Sequence, residues 1–197
     1  MRTTAYLLLF SSLALILTLV SGCDPEPAPD CDPVELEPRA LVSAQGWTAS
    51  AIEDDPLADH RPALTVCPAN AWGEELGVFE VSTGECNYLS VEQALAEGVE
   101  IGDRLRVQVW WQPLIANEPA TAHLALLIDG QPIWDEHVAI PGSAEARAIE
   151  LDSPIAAEPG AIVTFLLHNH GANSWTLAEL AKLSSRHSAA ETGAHCE

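Results

Sequence analysis

"LRVQVWW", residues 105–111, alternates without a break: Leu105, Val107, Val109 and Trp111 fall on one side, Arg106, Gln108 and Trp110 on the other. A period of two is what an extended strand produces when one face packs inward and the other looks out. The same texture continues on both sides of it. "AHLALLI" (122–128) and "IWDEHVAI" (133–140) flank Asp129-Gly130, and Asp-Gly between apolar runs is a strong hairpin signal. "ARAIEL" (146–151) and "AIVTFLLHN" (161–169) are two further strands, the second preceded by an "EPG" turn. Upstream, "ALTV" (63–66) and "GVFEV" (77–81) fit strands. Short strands at close spacing between turns indicate an all-β, antiparallel β-sandwich.

Two segments run against this by local propensity. "VEQALAEGV" (91–99) and "WTLAELAKLSS" (175–185) are rich in Ala, Leu and Glu, which favour helix. Pairing with neighbouring strands overrides propensity for the second, which is expected as a strand; the first suits a helical turn. "RHSAAETGAHCE" (186–197) reads as an irregular tail.

The chain begins differently. Arg2 is followed by the apolar run "AYLLLFSSLALILTLV" and then by "VSGC" at 20–23. A basic start, a short apolar stretch and small residues read as an export signal, residues 1–22. "VSGC" resembles the lipobox of bacterial lipoproteins, which implies that Cys23 becomes the acylated N-terminus. Such an anchor holds a protein to the bilayer of the cell envelope, on the periplasmic side or the outer surface, without a transmembrane helix. "DPEPAPDCDPVELEP" (24–38) alternates proline and acid and favours extended chain. Residues 23–40 are therefore expected to be a tether, and the sandwich to occupy 41–185.

Four cysteines besides Cys23 remain: Cys31, Cys67, Cys86 and Cys196. An even number in an exported chain suggests disulfides. Three pairings are possible; the favoured one joins Cys67 to Cys86, which closes a local loop, and Cys31 with Cys196 would then tie the two ends. The formal charge is −21, which repels nucleic acid. No catalytic motif such as GxSxG, HExxH or a P-loop occurs, and no cofactor motif, so the chain reads as non-catalytic.

The order of pieces carries a second resemblance. "YLSVEQAL", "IGDRLRVQVWW", a "DG" hairpin and "AIELDSPIAAEPGAIVTFLLHNHGANSW" follow one another as in galactose-binding-like jelly-roll domains, which include many carbohydrate-binding modules. The likeness spans roughly residues 47–183. It implies a jelly-roll sandwich and a binding role for carbohydrate or another surface polymer.

On the residues themselves, Trp110 beside Gln108 and Arg106 is the candidate ligand face, an indole next to directed donors. Trp47, Trp72 and Trp134 are expected as core or loop anchors. In "FLLHNHGANSW" (165–175), His168 and His170 share a face with Ile162, Thr164 and Leu166. They are half of a copper or zinc site at most, with His123 or His137 as further donors. Those two come to that face, with Asp135, if Asp129-Gly130 forms a type I turn plus bulge; a two-residue type I′ turn reverses them. The alternatives are a pocket rim or a plain strand end, with Gly171, Asn173 and Ser174 serving the turn. A structural or protein-interaction lipoprotein without small ligand is the remaining reading.

Overall fold

The computed structural model describes residues 36–51, 55, 57, 58 and 61–185. Cys23, Cys31 and Cys196, and with them the anchor and the end-to-end disulfide, lie outside the described residues.

Among the described residues, eleven strands build two antiparallel sheets. In chain order they are β1 (Leu36–Ala40), β2 (Thr48–Ala49), β3 (Trp72–Glu75), β4 (Val78–Ser82), β5 (Tyr88–Ala94), β6 (Arg104–Trp111), β7 (Ala120–Ile128), β8 (Gln131–Ile140), β9 (Glu145–Asp152), β10 (Ile162–His168) and β11 (Ser174–Ser185). The six-stranded sheet runs β3-β4-β11-β6-β9, with β1 also pairing β11; the five-stranded sheet runs β2-β5-β10-β7-β8. The fold is an antiparallel β-sandwich of jelly-roll type.

The inward face of β6 is the one alternation demands: Leu105, Val107, Val109 and Trp111 are all buried. Opposite them the five-stranded sheet supplies Val163, Phe165 and Leu167 from β10 and Leu124 and Leu126 from β7. Aromatic rings fill the space between the sheets. Phe79 meets Phe165 edge-on at 6.0 Å, and Trp111 lies 5.2 Å from Trp175. Trp47 and Trp134 join this core, and Trp72 packs against it beside Phe79. Along one open side, Arg147 on edge strand β9 reaches Glu136 on edge strand β8 at 2.7 Å and lies over the Trp111 ring at 4.9 Å.

The Cys67–Cys86 disulfide is present and joins residues 19 positions apart. Three readings of the chain are corrected. "ALTV" is not a strand: Leu64 and Val66 are exposed, and the segment is held by Asn87, which donates to Leu64 O (2.8 Å) and accepts from Val66 N (2.8 Å). "VEQA" belongs to β5 instead of a helical turn, because pairing with β10 satisfies its backbone. The tether ends earlier than residue 40, since β1 pairs the end of β11 from Leu36 to Ala40. All five residues of β1 are exposed, and Pro38 is tolerated there because edge strands need fewer ladder bonds.

The Asp129-Gly130 turn is the two-residue form. Ile128 pairs Gln131, and both turn residues have positive φ, +47° and +73°, as a type I′ turn requires. Alone, that turn reverses the faces of β8. Here the faces are kept, because a bulge follows: Leu127 pairs Pro132 and Leu126 pairs Trp134, so Ile133 is an extra residue. One extra residue restores the parity that the shorter turn removed. Leu124, Leu126 and Trp134 point inward, and His123, Asp135 and His137 outward.

Candidate functional site

On the outer face of the six-stranded sheet, Arg106, Gln108 and Trp110 project side by side, each partly buried. The neighbours set their surroundings. On the β9 side Trp110 is paired with Ala146 and Gln108 with Ala148, both exposed alanines that leave this flank low. On the β11 side Trp110 is paired with Thr176.

Glu179 completes the group. Its carboxylate accepts from Arg106 Nη2 at 2.9 and 3.2 Å, from Arg106 Nε at 3.2 Å and from Gln108 Nε2 at 2.8 Å. Sequence reasoning misses this residue for a definite cause. Strict alternation from Trp175 puts Trp175, Leu177 and Glu179 on one inward face. The register shifts between Leu177 and Glu179: Leu177 pairs Val109 and Glu179 pairs Gln108. Ala178 is thus the extra residue, and Glu179 turns outward while Leu180 takes over the core position. The result is a carboxylate, a guanidinium and an amide held in fixed relation beside an indole. About a fifth to a quarter of the Arg106 and Glu179 side chains stays exposed (24% and 22%). Further along the same face, burial and the Glu75 charge raise the Glu80 carboxyl above the usual carboxylate range.

The outer face of the five-stranded sheet is divided. Part of it is apolar and covered: Tyr88, Ala125, Leu127 and Leu166 are buried there and pack with Leu57. The cover is pinned by a polar clasp. Tyr88 donates to Asp55 Oδ2 at 2.7 Å, and Arg61 donates to the same oxygen through Nε (3.0 Å) and Nη2 (2.7 Å). Burial, and then the bond to Asp55, raise the Tyr88 hydroxyl well above its ordinary range. A cleft of about 330 Å³ opens beside the clasp, lined by Trp72, Tyr88, Asp55, Arg61, Ser50 and Ser90 among others.

On the same face, in one row with Tyr88, the imidazoles gather: Tyr88 pairs His168, and their rings lie 5.9 Å apart. β10 pairs β7 with His168 opposite His123, and β7 pairs β8 with His123 opposite His137. The three lie in a row across adjacent strands, and His170 follows with its ring 4.8 Å from that of His168. His123 and His137 stack at 4.3 Å, nearly parallel. Asp135 serves both: His123 Nε2 is 2.5 Å from Oδ2, and His137 Nδ1 is 3.4 Å from Oδ1. All four histidines expected as donors are therefore brought to one region, and the carboxylate is added to them.

The turn after His170 is a structural knot. Gly171 has φ +86°, and a Cβ there would sit 2.0 Å from Ile115 O. Buried Asn173 donates to His170 O (2.8 Å) and accepts from Ile115 N (2.7 Å), while Asn169 Oδ1 accepts from Trp175 Nε1 (2.9 Å). These bonds satisfy polar groups that burial would otherwise penalise.

Comparison with protein-family models and with curated proteins returned no match. Among solved structures, the chain is similar to a CBM4 domain, at 10% identity and a TM-score of 0.41 over 71% of this chain and 96% of that one. It is also similar to a mutant of the family 29 carbohydrate-binding module CBM29-2, at 14% identity and 0.36 over 60% and 76%. A third is CBM51 from Clostridium perfringens GH95 in complex with methyl-galactose, at 13% identity and 0.35 over 74% and 94%.

Proposed function

We infer that the chain is an exported, lipid-tethered, non-catalytic binding module of the bacterial cell envelope. Its ligand is carbohydrate or another hydroxyl-rich surface polymer, taken on the outer face of the six-stranded sheet. Export and anchoring are supported by the apolar N-terminal run, "VSGC" and the proline-rich stretch behind Cys23. The observation that carries the binding site is Glu179 reaching across from β11 to hold Arg106 and Gln108 next to Trp110.

The chemistry follows from that arrangement. The apolar face of a pyranose stacks on an indole, and its hydroxyls need donors and acceptors already in place. Side chains fixed by one another lose little further entropy on binding. The low Ala146–Ala148 flank lets an extended polymer lie along β6. A formal charge of −21 disfavours polyanions, so a neutral glycan is the expected class.

The test is binding of the full chain, purified in detergent, to a panel of neutral polysaccharides. Trp110→Ala is expected to weaken the retained glycan by about tenfold or more, about 1.4 kcal/mol. Trp72→Ala, in the cleft beside Tyr88, is expected to leave it unchanged. Binding that survives Trp110→Ala, binding lost with Trp72→Ala, or no neutral glycan retained at all overturns the reading. Anchoring has its own test: Cys23→Ala moves the chain from the detergent phase to the aqueous phase if Cys23 carries lipid.

A further inference from the structure

We propose that His123, Asp135 and His137 form a binding site for a borderline divalent metal ion, copper(II) in preference to zinc, at the β7–β8 edge of the five-stranded sheet. The site is separate from the Trp110 face, and its argument does not depend on that reading.

The type I′ turn and the bulge at Ile133 set the register that puts His137 opposite His123, with Asp135 two residues before His137 on the same outward face. One ligand atom from each residue lies within 4.8 Å of the others. Tetrahedral zinc, with bonds of about 2.0–2.1 Å, holds its donors roughly 3.4 Å apart. Because the two imidazoles stack nearly parallel at 4.3 Å, the His137 ring must turn out of the stack and Asp135 draw back from His123 Nε2 for the three donors to converge on one ion. The side chains able to rotate are the exposed ones: His137 and Asp135 are 55% and 50% exposed, while His123 is 5% exposed and is held by the sheet. One rigid donor and two adjustable donors at an edge strand leave the ion a path from solvent.

The donor set selects the ion. Two imidazoles and one carboxylate suit copper or zinc; calcium and magnesium take mostly oxygen ligands. Between copper(II) and zinc at a nitrogen–oxygen site, copper binds more tightly. A carboxylate shared by two stacked imidazoles is more than one structural hydrogen bond needs. The strongly acidic chain, formally −21, raises the local concentration of cations. His168 and His170 stand next in the row, and the geometry assigns the ion to the β7–β8 edge instead of to that pair.

Untagged full chain in detergent is incubated with copper(II) or zinc(II), passed through a desalting column and assayed for bound metal, with the copper form read by electron paramagnetic resonance. The expected result is one equivalent of copper with hyperfine splitting from two nitrogens, and weaker zinc binding. His137→Gln and Asp135→Asn, both at exposed positions, should each weaken copper binding by about tenfold or more, while His170→Gln leaves it unchanged. Thermal melts of the metal-free variants check that each is folded. Failure to retain either metal overturns the proposal. So does retention by the folded His137→Gln, Asp135→Asn double variant, or loss on His170→Gln alone, which would move the ion to the His168–His170 pair.

Discussion

The two sheets turn outward faces of opposite character to their surroundings. On β6 the outward residues are Arg106, Gln108 and Trp110, and they remain partly open beside exposed alanines. On β10 the outward residues Thr164 and Leu166 are buried as deeply as the inward ones. The difference is what lies on top. Asp55 and Arg61 are clasped to Tyr88, and Leu57 packs with Tyr88, Ala125, Leu127 and Leu166 in a second, smaller apolar cluster. A covered face serves stability. The open face with fixed polar groups is the one proposed above for recognition, and the imidazoles collect beside the covered cluster, next to Tyr88.

The sharpest way to break this contrast is truncation at matched outward positions. Leu166→Ala should cost about 2–5 kcal/mol, as any fully buried leucine does. Gln108→Ala should cost about 1 kcal/mol or less, the worth of one partly exposed hydrogen bond. Urea melts of the two variants measure both. Equal losses would mean that the two faces are not different in kind.

A smaller effect isolates the clasp. Tyr88→Phe keeps the ring but leaves Asp55 with one donor fewer, and should cost about 1–3 kcal/mol in the same melts. It should also change the alkaline limb of stability. The Tyr88 hydroxyl is raised in the folded chain by burial and by Asp55. Above about pH 10 the unfolded chain loses that proton and the folded chain keeps it, so stability falls as pH rises. Tyr88→Phe should flatten that fall; an unchanged slope would show that the clasp does not hold the proton.

The smallest expected effect lies at acid pH on the opposite sheet. Burial pushes Asp103 upward, but the bond to Lys182 and the Glu100 N–H outweigh it and hold the carboxyl below its ordinary value. A depressed carboxylate stabilises the fold above about pH 4 and loses that contribution as pH falls through its lowered value. Asp103→Asn should therefore reduce the acid-side loss in a pH series of thermal melts.

The alternation of "LRVQVWW" makes the core face and the Trp110 face legible in the chain itself. The hairpin around Asp129-Gly130 and the outward placement of His168 are legible in the same way. Two features are not, and each is a single extra residue. Ala178 breaks the parity of β11 and turns Glu179 outward; Ile133 breaks the parity of β8 and keeps His137 beside His123. A bulge is set by the partner strand, distant β6 for Ala178 and the adjacent β7 for Ile133, so neither leaves a mark in the periodicity of its own strand. The covering segment is hidden for a related reason: its stretch holds few apolar residues, and its grip comes from Asp55, Arg61 and Tyr88, with Tyr88 far from the other two in sequence.

Six tryptophans give the central claim a direct probe, since each indole N–H reports separately: Trp47, Trp72, Trp110, Trp111, Trp134 and Trp175. Titration of 15N-labelled full chain with the neutral glycan it retains should shift the Trp110 indole signal far more than the other five. A dominant shift at Trp72, or none at Trp110, would contradict the account.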